Sequence, residues 1–354
     1  MAETVELVID VTEALGLGEP AQVAASIVLP DPALMPQRPV VCFAKPGGGY
    51  SRGYYTGDLP GPGSGTGGQA AFHAARGWIV VAMDNLGSGG SSTHAAHHMG
   101  FSQCTRAALA AEQDILARLA NGVLHPGYPP VLQPVRIAMG QSTGGSLAIV
   151  QQARHRCYDG IAVLGFSAVH SHPATPPGEA PIVSPWFARD LAPEEPGGVL
   201  NAAELARATA GQPQESAWAS LAWGFHYDDV PAEVVEADLA HYEALAGGLP
   251  PPENPAPWNS YTPPGDAARF TLTPGIVAPE AAAVTVPVLS AMGERDLVVD
   301  PAGEARAFRS AASFDLFVCP RMGHMHNFAG TRALLWERVH RFGEWCAAWS
   351  APGD

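Results

Sequence analysis

Short, almost continuously apolar runs alternate with helix-like segments along most of the chain, and this alternation restricts the fold more than any other feature. The apolar runs cover residues 5–11, 23–29, 40–44, 78–83, 135–139, 161–166, 286–292 and 314–319. Helical patterns cover residues 69–76, 102–120, 145–154, 303–310 and 331–349. Strands that are apolar on both faces and alternate with helices form parallel sheets covered on both sides. We therefore predict an α/β fold with a mostly parallel, doubly wound sheet.

The alternation is interrupted between residues 168 and 284. This stretch is rich in Pro and aromatic residues, and its middle part, residues 201–247, has a helical pattern. An insertion between two strands of one sheet forms a subdomain over that sheet. We therefore predict a core of residues 1–167 and 285–354 and a largely helical cap of residues 168–284. Its aromatic residues should form mostly the cap's own core; they are Trp186, Phe187, Trp218, Trp223, Phe225, Tyr227, Trp258 and Tyr261.

The net charge of the chain restricts its binding partners, and its cysteine content indicates a cellular compartment. The chain has 354 residues, with 19 basic against 34 acidic side chains and a formal net charge of −15. An acidic surface repels phosphate backbones and anionic lipids, so we expect neither nucleic acid nor membrane as a partner. Five Cys without a C-x-x-C pair, and an acidic N-terminus without a signal-peptide pattern, favour a cytoplasmic protein. A homo-oligomer remains open.

The pattern G-x-S-x-G occurs twice, around Ser142 and around Ser51. Ser142 directly follows an apolar run and precedes a helical pattern, whereas no helix is predicted after Ser51. A nucleophilic serine needs a tight turn from strand to helix, which lifts its hydroxyl above the sheet. Flanking glycines let such a turn form without Cβ clashes. We therefore predict that Ser142 is a nucleophile and Ser51 a loop residue.

Four further motifs follow predicted strands. They are the Gly-rich loop at residues 46–50, D-N-L-G-S-G-G-S at 84–91, G-E-R-D at 293–296 and P-R-M-G-H at 320–324. Together with Ser142, these motifs resemble the α/β-hydrolase family in their order. Pro46 stands where the family's H-G-G-G-type loop has His. The resemblance covers residues 25–167 and 285–350, and the insertion occupies the family's usual cap position.

Nucleophilic attack by a serine also requires a histidine and a carboxylate beside it. A neutral serine hydroxyl needs an imidazole to accept its proton, and that imidazole needs a carboxylate to fix its tautomer. Asp296 is the preferred acid, with Glu294 and Asp300 as rivals. His324 is the preferred base and His326 the alternative. We expect His324 Nε2 within hydrogen-bond reach of Ser142 Oγ and its Nδ1 facing Asp296.

The resemblance also implies backbone donors for an oxyanion. They are the N–H of Thr143 and one from the loop containing Gly48 and Gly49. Candidate substrate-binding side chains are Tyr50, Trp223, Trp258 and His326.

The sequence therefore predicts a serine hydrolase for a small or medium, uncharged, largely apolar ester or lactone, with a small-molecule substrate and no metal or cofactor. Hydrolysis of a C–C bond and acyl transfer remain alternatives within the same fold. A ligand-binding protein without turnover is the alternative from another class.

Overall fold

The computed structural model describes residues 3–172, 174–179 and 221–351. Within these residues, one eight-stranded sheet has the order β1-β2-β4-β3-β5-β6-β7-β8. The strands are β1 (Glu3–Asp10), β2 (Gln22–Leu29), β3 (Val40–Lys45), β4 (Ile79–Met83), β5 (Val135–Gln141), β6 (Gly160–Leu164), β7 (Val288–Gly293) and β8 (Phe314–Cys319). Every predicted apolar run forms a strand, and no predicted strand boundary is displaced by more than two residues.

Six of the strands run parallel. β3 pairs in parallel with β4 and β5, and β6, β7 and β8 continue the parallel sheet. The antiparallel pairs β1–β2 and β2–β4 form one edge. This confirms the predicted mostly parallel α/β sheet. Because the carboxyl ends of parallel strands lie at one edge, the loops after β3, β5, β7 and β8 meet there, and these loops carry the predicted site residues.

Helices cover both faces of this sheet. They are α1 (Thr12–Leu15), α2 (Gly53–Thr56), α3 (Gln69–Ala74), α4 (Phe101–Ala120), α5 (Thr143–His155), α6 (Ala232–Gly247), α7 (Gly265–Phe270), α8 (Ala278–Ala283) and α9 (Arg332–Trp349). Alternating β3 side chains show the two faces, since Val41 and Phe43 pack with α4 and α5, whereas Cys42 and Ala44 pack with α3 and α9.

Short 3-10 helices lie at Pro32–Leu34, Ala96–His98, Pro301–Arg306 and His326–Phe328. The predicted helix over residues 303–310 is wrong, because the chain there forms a 3-10 helix that begins at Pro301 and ends at Arg306. Its side-chain cap explains the early start: the Asp300 carboxylate accepts from the Gly303 N–H.

The insertion between β6 and β7 is described in part. Residues 221–225 and α6 are helical, and the Pro-rich segment between α6 and α7 is irregular. Val277 and Ala281, near the end of the insertion, belong to the buried cluster on the α4 face of the sheet. The predicted cap residues Trp186, Phe187 and Trp218 lie outside the described residues. Among the described helices, none combines the length and apolarity needed to cross a bilayer.

Candidate active site

Ser142 lies at the sharp turn between β5 and α5. Its φ of +53° and ψ of −119° are strained for a residue with a side chain. The turn is held because the Ser142 N–H donates to the oxygen of Leu164, the last residue of β6, at 2.8 Å. A Cβ on Gly140 would lie 2.1 Å from the Gly144 oxygen, and one on Gly144 would lie 2.1 Å from the Lys45 oxygen. Both positions of the motif therefore require glycine, because there is no space for a Cβ at either one.

Ser51, in the second G-x-S-x-G match, has a different environment. Its Oγ donates to the Pro257 oxygen at 2.7 Å and lies 3.2 Å from the N–H of Gly53, from which it accepts. The sequence predicted no helix after Ser51, but the one-turn helix α2 begins at Gly53. The serine oxygen explains this difference, because it satisfies an N–H that a helix start leaves without a partner. The Ser51 hydroxyl thus connects this turn to the insertion.

Asp296 follows β7 and contacts both candidate histidines. His324 Nδ1 lies 2.6 Å from Asp296 Oδ1, and His326 Nε2 lies 2.7 Å from Asp296 Oδ2. The backbone N–H groups of Gly293 and Leu297 donate to the same carboxylate at 2.8 and 2.7 Å. All three side chains are buried. The predicted contact between His324 Nδ1 and Asp296 is therefore present, and His326 is a second partner of the same carboxylate.

The charge state of Asp296 follows from these contacts. Burial by itself would raise its pKa, but the imidazoles of His324 and His326 outweigh that effect and hold the pKa of Asp296 well below its ordinary value. Asp296 is consequently a carboxylate at neutral pH. It can accept an Nδ1–H from His324 and stabilise positive charge on that ring.

The two rival acids have other partners. Glu294 accepts from the Tyr227 hydroxyl at 3.0 Å and from the Arg321 N–H at 2.7 Å. Asp300 caps the 3-10 helix after β7 and pairs with Arg306. Of the three candidates, Asp296 is the one in contact with His324.

Gln141 directly precedes Ser142, and its contact with His324 was not predicted from the sequence. Its Nε2 lies 3.2 Å from both the backbone oxygen and the ring Nε2 of His324. Only the NH₂ group of Gln141 donates to a carbonyl oxygen, so it also presents a donor to the ring nitrogen, which must then carry a lone pair. This places the proton of neutral His324 on Nδ1, facing Asp296. The only sequence signal was a polar residue at the end of an apolar strand.

The expected hydrogen bond between His324 Nε2 and Ser142 Oγ is not among those formed by the described residues. Both side chains instead border one cavity of about 250 Å³. No Asp, Glu, Lys or Arg occurs among the described residues that line it. Most of its remaining wall is apolar, and includes Leu221, Phe225, Leu245, Ala268, Leu272 and Leu297.

The predicted oxyanion donors reach the same cavity. Thr143, Gly48 and Gly49 all line it. Within the described part of the chain, the N–H groups of these three residues donate to no protein acceptor. Free N–H groups beside a serine hydroxyl are suited to bind a developing negative charge.

The predicted substrate-binding side chains lie elsewhere. Tyr50 is buried, with its hydroxyl 2.5 Å from Asp238 Oδ1. Trp223 packs against the Arg295 guanidinium, and Trp258 packs near Phe328. His326 contacts Asp296, as described above. None of these four predicted side chains is among the described residues that line the cavity.

Comparison with known proteins gives a family and a fold. The sequence model of the alpha/beta hydrolase family matches residues 40–335. The comparison with curated protein sequences gave no match.

Several solved structures share the fold at low sequence identity. A proline iminopeptidase from Mycobacterium smegmatis has 16% identity and a TM-score of 0.56, over 99% of this chain and 100% of that chain. The N-acyl homoserine lactonase AidH has 15% identity and a TM-score of 0.52, with coverage of 99% and 100%. A meta-cleavage product hydrolase from Pseudomonas fluorescens has 13% identity and a TM-score of 0.53, with coverage of 94% and 96%. Since the family match spans most of its length, the chain belongs to the alpha/beta hydrolase family.

Proposed function

We propose that the protein is a serine hydrolase that cleaves a small-to-medium, uncharged, largely apolar carboxylic ester or lactone. The observation that carries the proposal is the convergence of three features on one cavity whose described lining residues include no Asp, Glu, Lys or Arg. These are a serine on a strained strand-to-helix turn, a histidine oriented by a buried carboxylate, and free backbone N–H groups. No metal or cofactor takes part in the proposed reaction.

In the first half of the reaction, Ser142 Oγ attacks the carbonyl carbon while its proton passes to His324 Nε2. The Nδ1–H of His324 stays on Asp296, whose negative charge stabilises the imidazolium. The N–H groups of Thr143 and of Gly48 or Gly49 bind the oxyanion. The imidazolium then protonates the leaving alkoxide, and an acyl group remains on Ser142.

Water completes the cycle. His324 Nε2 accepts a proton from a water molecule as the water oxygen attacks the acyl carbon. The imidazolium then returns this proton to Ser142 Oγ as the C–O bond to the serine breaks, which releases the acid and restores the free enzyme. Before the first step, Ser142 Oγ must take the place at His324 Nε2 that the Gln141 amide occupies in the structure. Hydrogen bonds of this kind are often formed only when substrate binds.

The cavity supports an uncharged substrate. A charged group that entered it would lose its hydration without meeting an opposite charge on the described walls. An apolar acyl or alcohol part would instead bury its surface against leucine and phenylalanine side chains.

The test compares the two G-x-S-x-G serines directly. A fluorophosphonate should label the wild-type protein at Ser142, and Ser142→Ala should abolish labelling and lower kcat by about 10³-fold or more. Ser51→Ala is the matched control and should retain both. Substrates are p-nitrophenyl esters of increasing chain length and a set of lactones. An unlabelled wild-type protein would favour ligand binding without turnover, and loss of labelling in Ser51→Ala alone would overturn the assignment of Ser142.

A further inference from the structure

One face of α6 holds three consecutive residues of the loop after β3. The side chains on this face lie at positions i, i+3 and i+4, which neighbour each other on a helix; they are Asp238, His241 and Tyr242. Tyr242 OH donates to the Gly48 oxygen at 3.0 Å, and His241 Nε2 donates to the Gly49 oxygen at 2.6 Å. The Tyr50 hydroxyl donates to Asp238 Oδ1. α6 therefore holds the loop that carries the oxyanion donors, together with the segment around Ser260, whose N–H also donates to the Gly49 oxygen at 2.8 Å.

The contact of Tyr242 with Gly48 sets the direction of one proposed donor. In a trans peptide, the C=O and N–H groups point in opposite directions. The Gly48 oxygen faces Tyr242, so the N–H of Gly49, on the same peptide, points away from Tyr242. Gly49 has a φ of +86°, and a Cβ there would lie 3.1 Å from the Tyr242 ring. The ring thus packs directly on the loop, in a conformation that glycine permits.

Asp238 connects this loop to the loop that carries His324. His226 Nε2 lies 2.8 Å from Asp238 Oδ2, the oxygen that Tyr50 leaves free. The two residues before His226 accept, through their backbone oxygens, from the N–H groups of His324 and Met325, each at 2.8 Å. The carboxylate of Asp238 therefore contacts the oxyanion loop directly, through Tyr50, and the His324 loop indirectly, through His226 and the two residues before it.

Burial of the Asp238 side chain costs free energy. Its residue exposure is 3%, and no Lys or Arg pairs with it in the described part of the chain. A buried carboxyl group without a Lys or Arg partner loses hydration, and its two hydrogen bonds only partly replace it. Its contacts fix the positions of two loops that carry proposed reacting groups.

We propose that Asp238, His241 and Tyr242 are positioning residues, through which docking of α6 aligns the oxyanion loop with the His324 loop. This inference rests on the proposed function. It assigns to the insertion a role in orienting the reacting groups as well as in forming the cavity wall.

Tyr242→Phe is the most specific test, because it removes the hydroxyl that holds Gly48 and keeps the ring that lines the cavity. We expect kcat for a p-nitrophenyl ester to fall about 10- to 100-fold, with KM changed less than about threefold. The matched control is Tyr128→Phe. The Tyr128 hydroxyl also lies near a backbone oxygen, that of Pro30, but in the core on the α4 side of the sheet. This control should retain kcat within twofold.

Two further measurements separate positioning from a general structural role. An alkylboronic acid that forms a tetrahedral adduct on serine should lose affinity in Tyr242→Phe by the same factor as kcat/KM, while a planar, uncharged carboxamide of the same chain length should bind unchanged. His241→Gln keeps a donor near Nε2 and should retain kcat within about threefold, whereas His241→Phe should not.

Asp238→Asn should lower kcat at least as far as Tyr242→Phe, since an amide accepts from only one of the two donors well. If Asp238→Asn does not fold, the Tyr242 and His241 variants decide. An active wild-type protein whose Tyr242→Phe variant keeps kcat, or changes only KM, overturns this inference alone. A wild-type protein that neither hydrolyses esters nor reacts with a fluorophosphonate at Ser142 overturns both proposals.

Discussion

Two histidines share the carboxylate of Asp296, and the cavity distinguishes them. In the sequence they are two residues apart, and an extended chain would place both rings on one side. In the structure each reaches a different oxygen of Asp296, but His324 borders the cavity with Ser142 and His326 does not. His326 begins a 3-10 helix, and its Nε2 occupies the oxygen that His324 leaves free. The geometry therefore favours His324 as the base and His326 as a support for the carboxylate.

Replacing Asp296 tests this arrangement at the scale of one residue. In Asp296→Asn, the amide lacks the charge that stabilises the imidazolium, and its NH₂ group favours the wrong tautomer of His324. We expect kcat to fall about 10²- to 10⁴-fold, with KM nearly unchanged. Steady-state kinetics on the best p-nitrophenyl ester measures both.

The matched control for Asp296 is Glu294→Gln. Glu294 lies in the same loop but contacts Tyr227 and Arg321 instead of a histidine. It should keep kcat within about threefold. A large loss in Glu294→Gln together with an active Asp296→Asn would reassign the acid to Glu294.

Among the elements, the strand-to-helix turn at Ser142 was predictable because its determinants are local. An apolar strand, two glycines and a following helix lie within one short stretch, and the structure contains this turn. The contacts of α6 with the loop after β3 were not predictable, because they join residues almost 200 positions apart, such as His241 and Gly49. Within α6, the sequence showed only a helical pattern. That pattern predicted neither the residues that α6 contacts nor the face of α6 that packs on the loop after β3.

Gly144→Ala tests why the turn needs glycine. The added Cβ would lie 2.1 Å from the Lys45 oxygen, which belongs to a buried strand and cannot move freely. We expect the free energy of unfolding to fall by about 1–3 kcal/mol or more, and hydrolysis to be lost because Ser142 shifts. Urea denaturation and fluorophosphonate labelling measure the two effects.

Gly100→Ala is the control for that substitution. Gly100 precedes α4 with a φ of −79°. A Cβ added there would lie 3.4 Å from the side-chain oxygen of Gln103, which is an ordinary van der Waals distance. Alanine accepts this backbone conformation, so the free energy of unfolding should change by less than about 1 kcal/mol, with labelling intact. Equal tolerance of both substitutions would show that the turn relaxes without glycine.

On the scale of the whole molecule, the alternation of strands and helices predicted the sheet well because burial on both faces leaves a simple apolar pattern. The walls of the cavity were harder to predict. Trp223 and Trp258 were expected there as large aromatic residues of the insertion, but one packs on Arg295 and the other near Phe328. Phe225 and Tyr242 line the cavity instead. Composition indicates that aromatic side chains will be buried, but only tertiary packing decides which of them face the serine.

The pH dependence of stability is a further property of the whole fold, and His73 should contribute to it. The ring of His73 is fully buried, stacked on Trp78, with its Nδ1 3.3 Å from Nδ1 of His340. Burial, reinforced by the charges of His340 and Arg76, holds the pKa of His73 well below its ordinary value. The folded protein therefore keeps this ring neutral at pH values where the unfolded chain, with a histidine pKa of about 6.5, already binds a proton.

Because the unfolded state binds the extra proton, the stability that His73 contributes is fully present above about pH 6.5 and is lost as the pH falls below it. We expect the free energy of unfolding to decrease between pH 7 and pH 5.5, with His73 contributing at most about 1.4 kcal/mol per pH unit. His73→Gln should flatten this slope whatever its effect on stability at pH 7, because glutamine does not titrate. His97→Gln removes an exposed histidine instead and is the control for this substitution. Urea denaturation at four pH values measures the slopes, and equal slopes in His73→Gln and the wild-type protein would assign the acid sensitivity to other groups.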